Sequence, residues 1–250
     1  MGVHYEVQGG VGVIRIERAE RRNAVDRATA EALLAAYRRF EADAETRVLV
    51  LAGGRAAFCA GADLTALDND VASEGGPMGF TRLRSAKPVI AAIEGWCVAG
   101  GLEIALFADL RVAGRSAKFG CLERRWGVPL IDGGTQRLWR VVGLGRALDL
   151  MLTGRAIDAV EAERIGLVNR VVDDGTAESA AIALATEIAS YPWPTVLADR
   201  ASLYDGLGVT LEEGLRIEAE RGTSVLATGA TGAKEFASGA GRHGAGSSKS

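Results

Sequence analysis

Histidine is nearly absent from this chain of 250 residues: His4 and His243 are the only two, and each stands close to a terminus. A Ser-His-Asp triad, a Cys-His pair or a multi-histidine metal site needs an imidazole embedded in the fold. Those chemistries are excluded, and no metal is expected. Cysteine is scarce too. Cys59, Cys97 and Cys121 are widely separated with no C-x-x-C between them, which supports neither a zinc knuckle nor a disulfide framework and points to a reducing compartment. Charge of either sign is not in excess: 29 basic and 32 acidic side chains leave a formal −3. Without a basic surplus, nucleic acid is not an expected partner. The longest apolar run, Pro88 to Ala108, is interrupted by Glu94, Glu103 and a glycine cluster, so it suits a buried strand and helix better than a membrane span. No signal peptide opens the chain. The expectation is a cytoplasmic protein without a membrane partner.

Phosphate and hydrolase motifs are missing as well. There is no G-x-x-x-x-G-K-[ST], Gly143-Leu144-Gly145 lacks the third glycine of a dinucleotide fingerprint, and no G-x-S-x-G occurs.

What is present is a core-forming composition, 48% hydrophobic, with 33 Gly. It is enough for one large domain, or a domain with an appendage. Val3 to Glu17 alternates around Gly9-Gly10 and reads as a β-hairpin. Asp26 is placed to cap a helix from Arg27 to about Ala42, with Leu33, Leu34, Tyr37 and Phe40 on one stripe. Val48 to Leu51 and Val89 to Ile93 read as strands buried on both faces. Asp68 to Gly79 is polar and Gly-rich, and is expected to be a mobile lid. Ala99-Gly100-Gly101 opens a helix to about Ala108, Leu110 to Ala113 returns as a strand, and Gly133-Gly134-Thr135 opens another helix. Asp158 with Glu161 caps a short helix ending near Gly166, and Val168 to Val172 is the last strand. From Ala177 the pattern is helical, with Thr210 and Glu213 as a capping box. Strands alternating with helices, then helices alone, predict an α/β core with an α-helical appendage.

Three segments carry candidate chemistry. In Ala99-Gly100-Gly101-Leu102-Glu103, the first helical amides lack intrahelical partners and glycine permits close approach, so the Gly100 amide can hold an oxygen that gains negative charge. Glu103 returns to nearly the same face; the bland alternative is a first-turn acid favouring the helix dipole. Phe58-Cys59-Ala60-Gly61-Ala62-Asp63-Leu64 offers a second backbone donor, or an ordinary turn with Asp63 as a helix cap. Glu123 lies in Phe119-Gly120-Cys121-Leu122-Glu123, either as a catalytic acid or paired with Arg124 or Arg125 on a solvated surface.

Together with Lys87-Pro88-Val89-Ile90-Ala91-Ala92-Ile93-Glu94-Gly95 and Gly133-Gly134-Thr135-Gln136-Arg137-Leu138, these segments form five ordered motifs. On them the chain resembles the crotonase superfamily, the enoyl-CoA hydratase/isomerase family, from about Val13 to Phe236. The resemblance implies a spiral of ββα units over 1–190 and a helical region used in trimer assembly over 191–241, leaving 242–250 as a disordered tail. It implies an acyl-CoA thioester ligand, no cofactor beyond the CoA carried by the substrate, and a homotrimer or dimer of trimers. The family's oxyanion-hole amides fall on Ala62 and Gly100, and its two glutamates on Glu103 and Glu123. Ala60, Ala62, Asp63, Leu64, Thr65 and Gly100 fall on its CoA-binding segment.

Both acids are kept, which favours reversible hydration of trans-2-enoyl-CoA to 3-hydroxyacyl-CoA, in fatty-acid or related acyl-CoA degradation. Double-bond isomerisation by Glu123 alone is the rival. A non-catalytic CoA- or RNA-binding relative is the other, although the first helix interleaves Arg27, Arg38 and Arg39 with Glu31, Glu41 and Asp43. Three departures stand out. Leu130-Ile131-Asp132-Gly133-Gly134 replaces the family's usual Pro-Gly-Ala-Gly-Gly turn, adding Asp132 as a helix N-cap or an extra proton-transfer group. Leu122 replaces a common proline. Thr65 replaces a lysine that often contacts phosphate, with Arg55 as the candidate substitute cation.

Overall fold

A computed structural model describes residues 2–239. The hairpin forms from β1 (Val3–Gln8) and β2 (Val11–Ile16). It turns at Gly9 and Gly10, both with positive φ, as a two-residue turn that matches strand twist requires. Helix α1 (Arg27–Ala42) follows, and the Asp26 carboxylate accepts from the Thr29 amide at 2.9 Å, as its N-cap. Leu33, Tyr37 and Phe40 are buried on one stripe, with Leu34 packed at its edge.

The strands then come in pairs. β3 (Val48–Ala52) is followed by β4 (Ala57–Cys59), β5 (Val89–Ile93) by β6 (Trp96–Val98), and β7 (Leu110–Gly114) by β8 (Lys118–Gly120). The first of each pair joins a six-stranded sheet and the second joins a four-stranded one. Helix α2 (Gly100–Phe107) follows β6, and a 3₁₀ turn, Leu122–Trp126, follows β8. Next come α3 (Gly134–Val142), α4 (Leu144–Thr153), β9 (Ala156–Asp158), α5 (Ala159–Arg164), β10 (Arg170–Val172) and α6 (Ala177–Ser190). The sheet orders are β1-β2-β3-β5-β7-β10 and β4-β6-β8-β9. From β2 to β10 the larger sheet is parallel.

Strands β3 and β5 are buried along their whole length, because their alternate side chains enter two different cores. Leu49, Leu51, Val89, Ala91 and Ile93 face α1, α2 and the small sheet. Val48, Val50, Ala52, Ile90 and Ala92 face Ala181, Leu184 and Ala185 of α6. Helix α2 lies wholly inside, with all its residues buried, which accounts for a sequence that is apolar all round. Helices α7 (Trp193–Asp205), α8 (Leu211–Ser224) and α9 (Leu226–Ala237) complete the described chain, and neither α8 nor α9 has a buried residue. The tail call, 242–250, lies outside the described residues. No helix among them is long and apolar enough to cross a membrane.

Two expectations need correction here. Asp68 to Gly79 is not a lid throughout: Gly75 to Phe80 are buried, and the Phe80 ring stacks on Tyr37 at 5.3 Å and meets Phe107 edge-on at 4.9 Å. Aromatic packing anchors this part of the segment to α1 and α2. Second, Phe58-Cys59 does not belong to the turn that runs to Leu64 but ends a strand, Ala57–Cys59. Three residues are too few for a hydrophobic period to declare itself.

Candidate active site

The small sheet assembles the site. β4, β6 and β8 run parallel and side by side, so the segments leaving their C-terminal ends emerge together. These are Ala60 to Asp63, Ala99 to Glu103, and Cys121 to Glu123. They line a cavity of about 590 Å³, whose wall includes Ala60, Ala62, Leu64, Gly100, Glu103, Glu123 and Asp132.

The loop after β4 is tied to the turn before α1. Ala60 N donates to Arg22 O at 3.1 Å, Val25 N to Gly61 O at 2.8 Å, and Asp63 N to Val25 O at 2.9 Å. These bonds use Ala60 N, Gly61 O and Asp63 N, and the Ala62 N–H is left without an acceptor among the described residues. Gly100 opens α2, where the N–H has no intrahelical partner. It is reached through Ala99, held at φ 54°, ψ −130°, a conformation that costs a non-glycine residue roughly 1–3 kcal/mol. The two donor loops touch: a β-carbon on Gly61 (φ +95°) would come within 2.9 Å of Gly100 N and 2.8 Å of the Ala99 β-carbon. On the other side, a β-carbon on Gly100 would come within 2.9 Å of Met78 Sδ. Glycine at Gly61 is therefore a requirement of close approach, whereas at Gly100 the close neighbour is the flexible end of Met78.

Glu103 is not merely a first-turn acid. It is 3% exposed, and Oε1 accepts from Asp132 N and Gly134 N, each at 2.8 Å. Burial pushes its pKa up to about 7 against the opposing effect of the Gly134 amide, and the nearby Asp132 carboxylate adds to the rise. Glu123 is 6% exposed, and neither carboxyl oxygen has a hydrogen-bond partner among the described residues. Burial raises its pKa as well. The surface pairing with Arg124 or Arg125 does not form, because those guanidiniums reach Met151 O and Gly154 O instead.

Asp132 does not cap α3; Gly133 holds that position with no side-chain bond. The Asp132 carboxylate turns back to accept from Met78 N at 3.1 Å and from the Thr81 hydroxyl. Asp63 and Thr65 do not line the cavity. Asp63 Oδ1 accepts from Thr65 N at 3.0 Å and Thr65 Oγ1 at 2.6 Å, and Oδ2 meets Arg18 Nη2 at 3.3 Å. Arg55 is also off the cavity; its guanidinium lies against Gly175. The basic side chain on the wall is Arg22, which no motif marks, since it adjoins the cavity only through the turn that pins Ala60. Met78, on the buried side of the expected lid, was equally unsignalled as a wall residue.

Residues 6–238 match the family model described as enoyl-CoA hydratase/isomerase. The chain is similar to a probable enoyl-CoA hydratase of Rhizobium meliloti, 40% identical over 230 residues and 89% of each chain. It is also similar to a short-chain-enoyl-CoA hydratase of Clostridium acetobutylicum, 36% identical over 86% of this chain and 85% of the other. A crystal structure of an enoyl-CoA hydratase from Mycobacterium marinum superposes with TM-score 0.87 at 36% identity, covering 94% of both chains. A probable enoyl-CoA hydratase/isomerase from Mycobacterium abscessus gives 0.86 at 37%, covering 95% of both. With five motifs in order, paired strands in two sheets and a family match over residues 6–238, the chain belongs to the enoyl-CoA hydratase/isomerase family.

Proposed function

We propose that this protein is an enoyl-CoA hydratase, adding water reversibly and on one face across the C2–C3 bond of a trans-2-enoyl-CoA to give a 3-hydroxyacyl-CoA. The observation that carries this reading is the meeting, on one cavity wall, of two backbone amides without acceptors and two buried carboxyls.

The thioester oxygen takes hydrogen bonds from Ala62 N–H and Gly100 N–H. Charge that develops on this oxygen as the enolate forms is stabilised most by donors already fixed in place. Glu103 is the base: two amides point at Oε1 and favour its anion. It accepts a proton from the attacking water as the water oxygen bonds to C3. Glu123 is assigned as the acid: buried, with its carboxyl raised by that burial, it delivers a proton to C2. Two carboxyls in one dry pocket resist ionising together, so one proton is shared between them. Exchange with solvent restores it after each turnover. Ala60, Ala62 and Leu64 line the path of the thioester arm, and Arg22 at the wall supplies positive charge toward the CoA phosphates.

Assembly as a homotrimer or dimer of trimers is part of the proposal. It is supported by α8 and α9, whose Leu211, Leu215, Leu226 and Phe236 stand exposed on the single chain. Light scattering after gel filtration measures the mass directly. Loss of the conjugated-thioester absorbance across a panel of trans-2-enoyl-CoA chain lengths tests the activity. Conversion of a 3-enoyl-CoA to the 2-enoyl isomer with no hydroxyacyl product would assign isomerisation instead.

A further inference from the structure

Asp132 sits between two parts of the site that the chain supplies separately. Its backbone amide donates to Glu103 Oε1 at 2.8 Å. Its side chain, 3% exposed, accepts from Met78 N and from the Thr81 hydroxyl. Met78 in turn abuts Gly100, one of the two oxyanion donors. Arg137 reinforces the junction, donating to Asp132 O at 3.1 Å and to Thr81 O at 2.6 Å, and Arg82 Nη2 reaches Ile131 O at 3.0 Å. One buried carboxylate thus bolts the Gly75–Thr81 segment to the turn that holds Glu103.

We propose that Asp132 is a positioning residue: through its tie to Met78 and Thr81 it sets the wall beside the Gly100 amide and the carboxylate of Glu103 as a single unit. Its part is structural rather than that of an additional proton donor to substrate, since Oδ1 is engaged by Met78 N and the Thr81 hydroxyl. This rests on the hydratase reading above. Misplacing reacting groups by about 1 Å can cost on the order of 100-fold in rate, so the tie is a sensitive point for turnover.

The test uses Asp132→Ala, Asp132→Asn, Thr81→Val and the Ala/Val double variant. Asp132→Ala is expected to lower kcat/KM on the order of 10- to 100-fold. Adding Thr81→Val should then cost little more, because both changes break one tie. Asp132→Asn keeps an acceptor oxygen and is expected to retain most of the rate. It should move the acidic limb of the pH profile, set by ionisation of the base, to lower pH, since Glu103, which also faces Glu123, Cys121 and Arg137, then loses the neighbouring Asp132 carboxyl that raises it. Amide hydrogen exchange at Met78 should rise in Asp132→Ala. Asp132→Asn as inert as Glu103→Gln, or additive effects of Asp132→Ala and Thr81→Val, would overturn the proposal in favour of proton transfer or independent roles. Unchanged exchange at Met78 overturns the tie whether or not the chain hydrates. Faster exchange in a protein whose wild type turns over no enoyl-CoA overturns the hydratase reading and leaves the tie standing.

Discussion

The Asp132 amide donates to the Glu103 carboxylate at 2.8 Å, joining residues 29 positions apart. This bond and its neighbour from Gly134 hold a carboxyl inside the protein that burial nonetheless pushes up to about 7. The site thereby keeps a group that titrates near neutrality, which a proton-transfer cycle needs.

That shift has a consequence for stability. Between the ordinary value of 4.5 and about 7, folded Glu103 retains a proton that the unfolded chain has released. Its contribution to stability therefore falls as pH rises through this window, and the full cost is present above it. Glu103→Gln, which keeps an acceptor for both amides and cannot ionise, should be more stable than the wild type above pH 7 by on the order of 3 kcal/mol. The two should converge near pH 4.5. Denaturant melts at both ends of the range check the sign.

The two acids should fail separately. Glu103→Gln and Glu123→Gln are each expected to lower kcat by at least ~10²-fold with little change in KM, because each removes proton transfer rather than ground-state binding. Steady-state kinetics on a short 2-enoyl-CoA measure this. Near-normal turnover by both variants eliminates the mechanism.

The donor pair depends on Gly61. Gly61→Ala places a β-carbon within 2.9 Å of Gly100 N at a positive φ, so the two amide loops must separate. The expected loss in kcat is on the order of 10²–10³-fold, as for removal of one oxyanion donor. Circular dichroism on the same sample shows whether the fold is retained.

Arg22→Glu should raise KM several-fold for an enoyl-CoA and leave kcat little changed. The effect should shrink as salt screens the exposed charge over a distance of about 10 Å at 0.1 M. A KM series from low to high ionic strength resolves it.

Much of the fold could be read along the chain. The hairpin at Gly9-Gly10, the Asp26 cap, the doubly buried strands β3 and β5 and the Asp158 cap are all local: turn chemistry, capping atoms and continuous apolar runs sit within a few residues of what they determine. The paired-strand repeat was expected only through the family resemblance and has no local signal, because β4, β6 and β8 are three residues each and share no composition. Asp132 was legible as an extra acid in the turn before a helix, but its partners, Met78 and Thr81, lie more than fifty positions away. The cap reading failed because a buried carboxylate takes the strongest donors within reach, and the fold brought those from another segment.

By itself, the sequence determined which chemistry this protein can hold. Two histidines near the ends and three scattered cysteines turned the reading away from imidazole and metal chemistry and toward carboxyls and backbone amides, and five ordered motifs pointed to the family. What tertiary structure alone decided is the state of that equipment. Burial lifts Glu103 toward neutrality and raises Glu123 as well, and the Ala62 N–H is left without an acceptor among the described residues. Each of these depends on which atoms pack around a group, and chain order does not set that until the small sheet gathers three strand ends in one place.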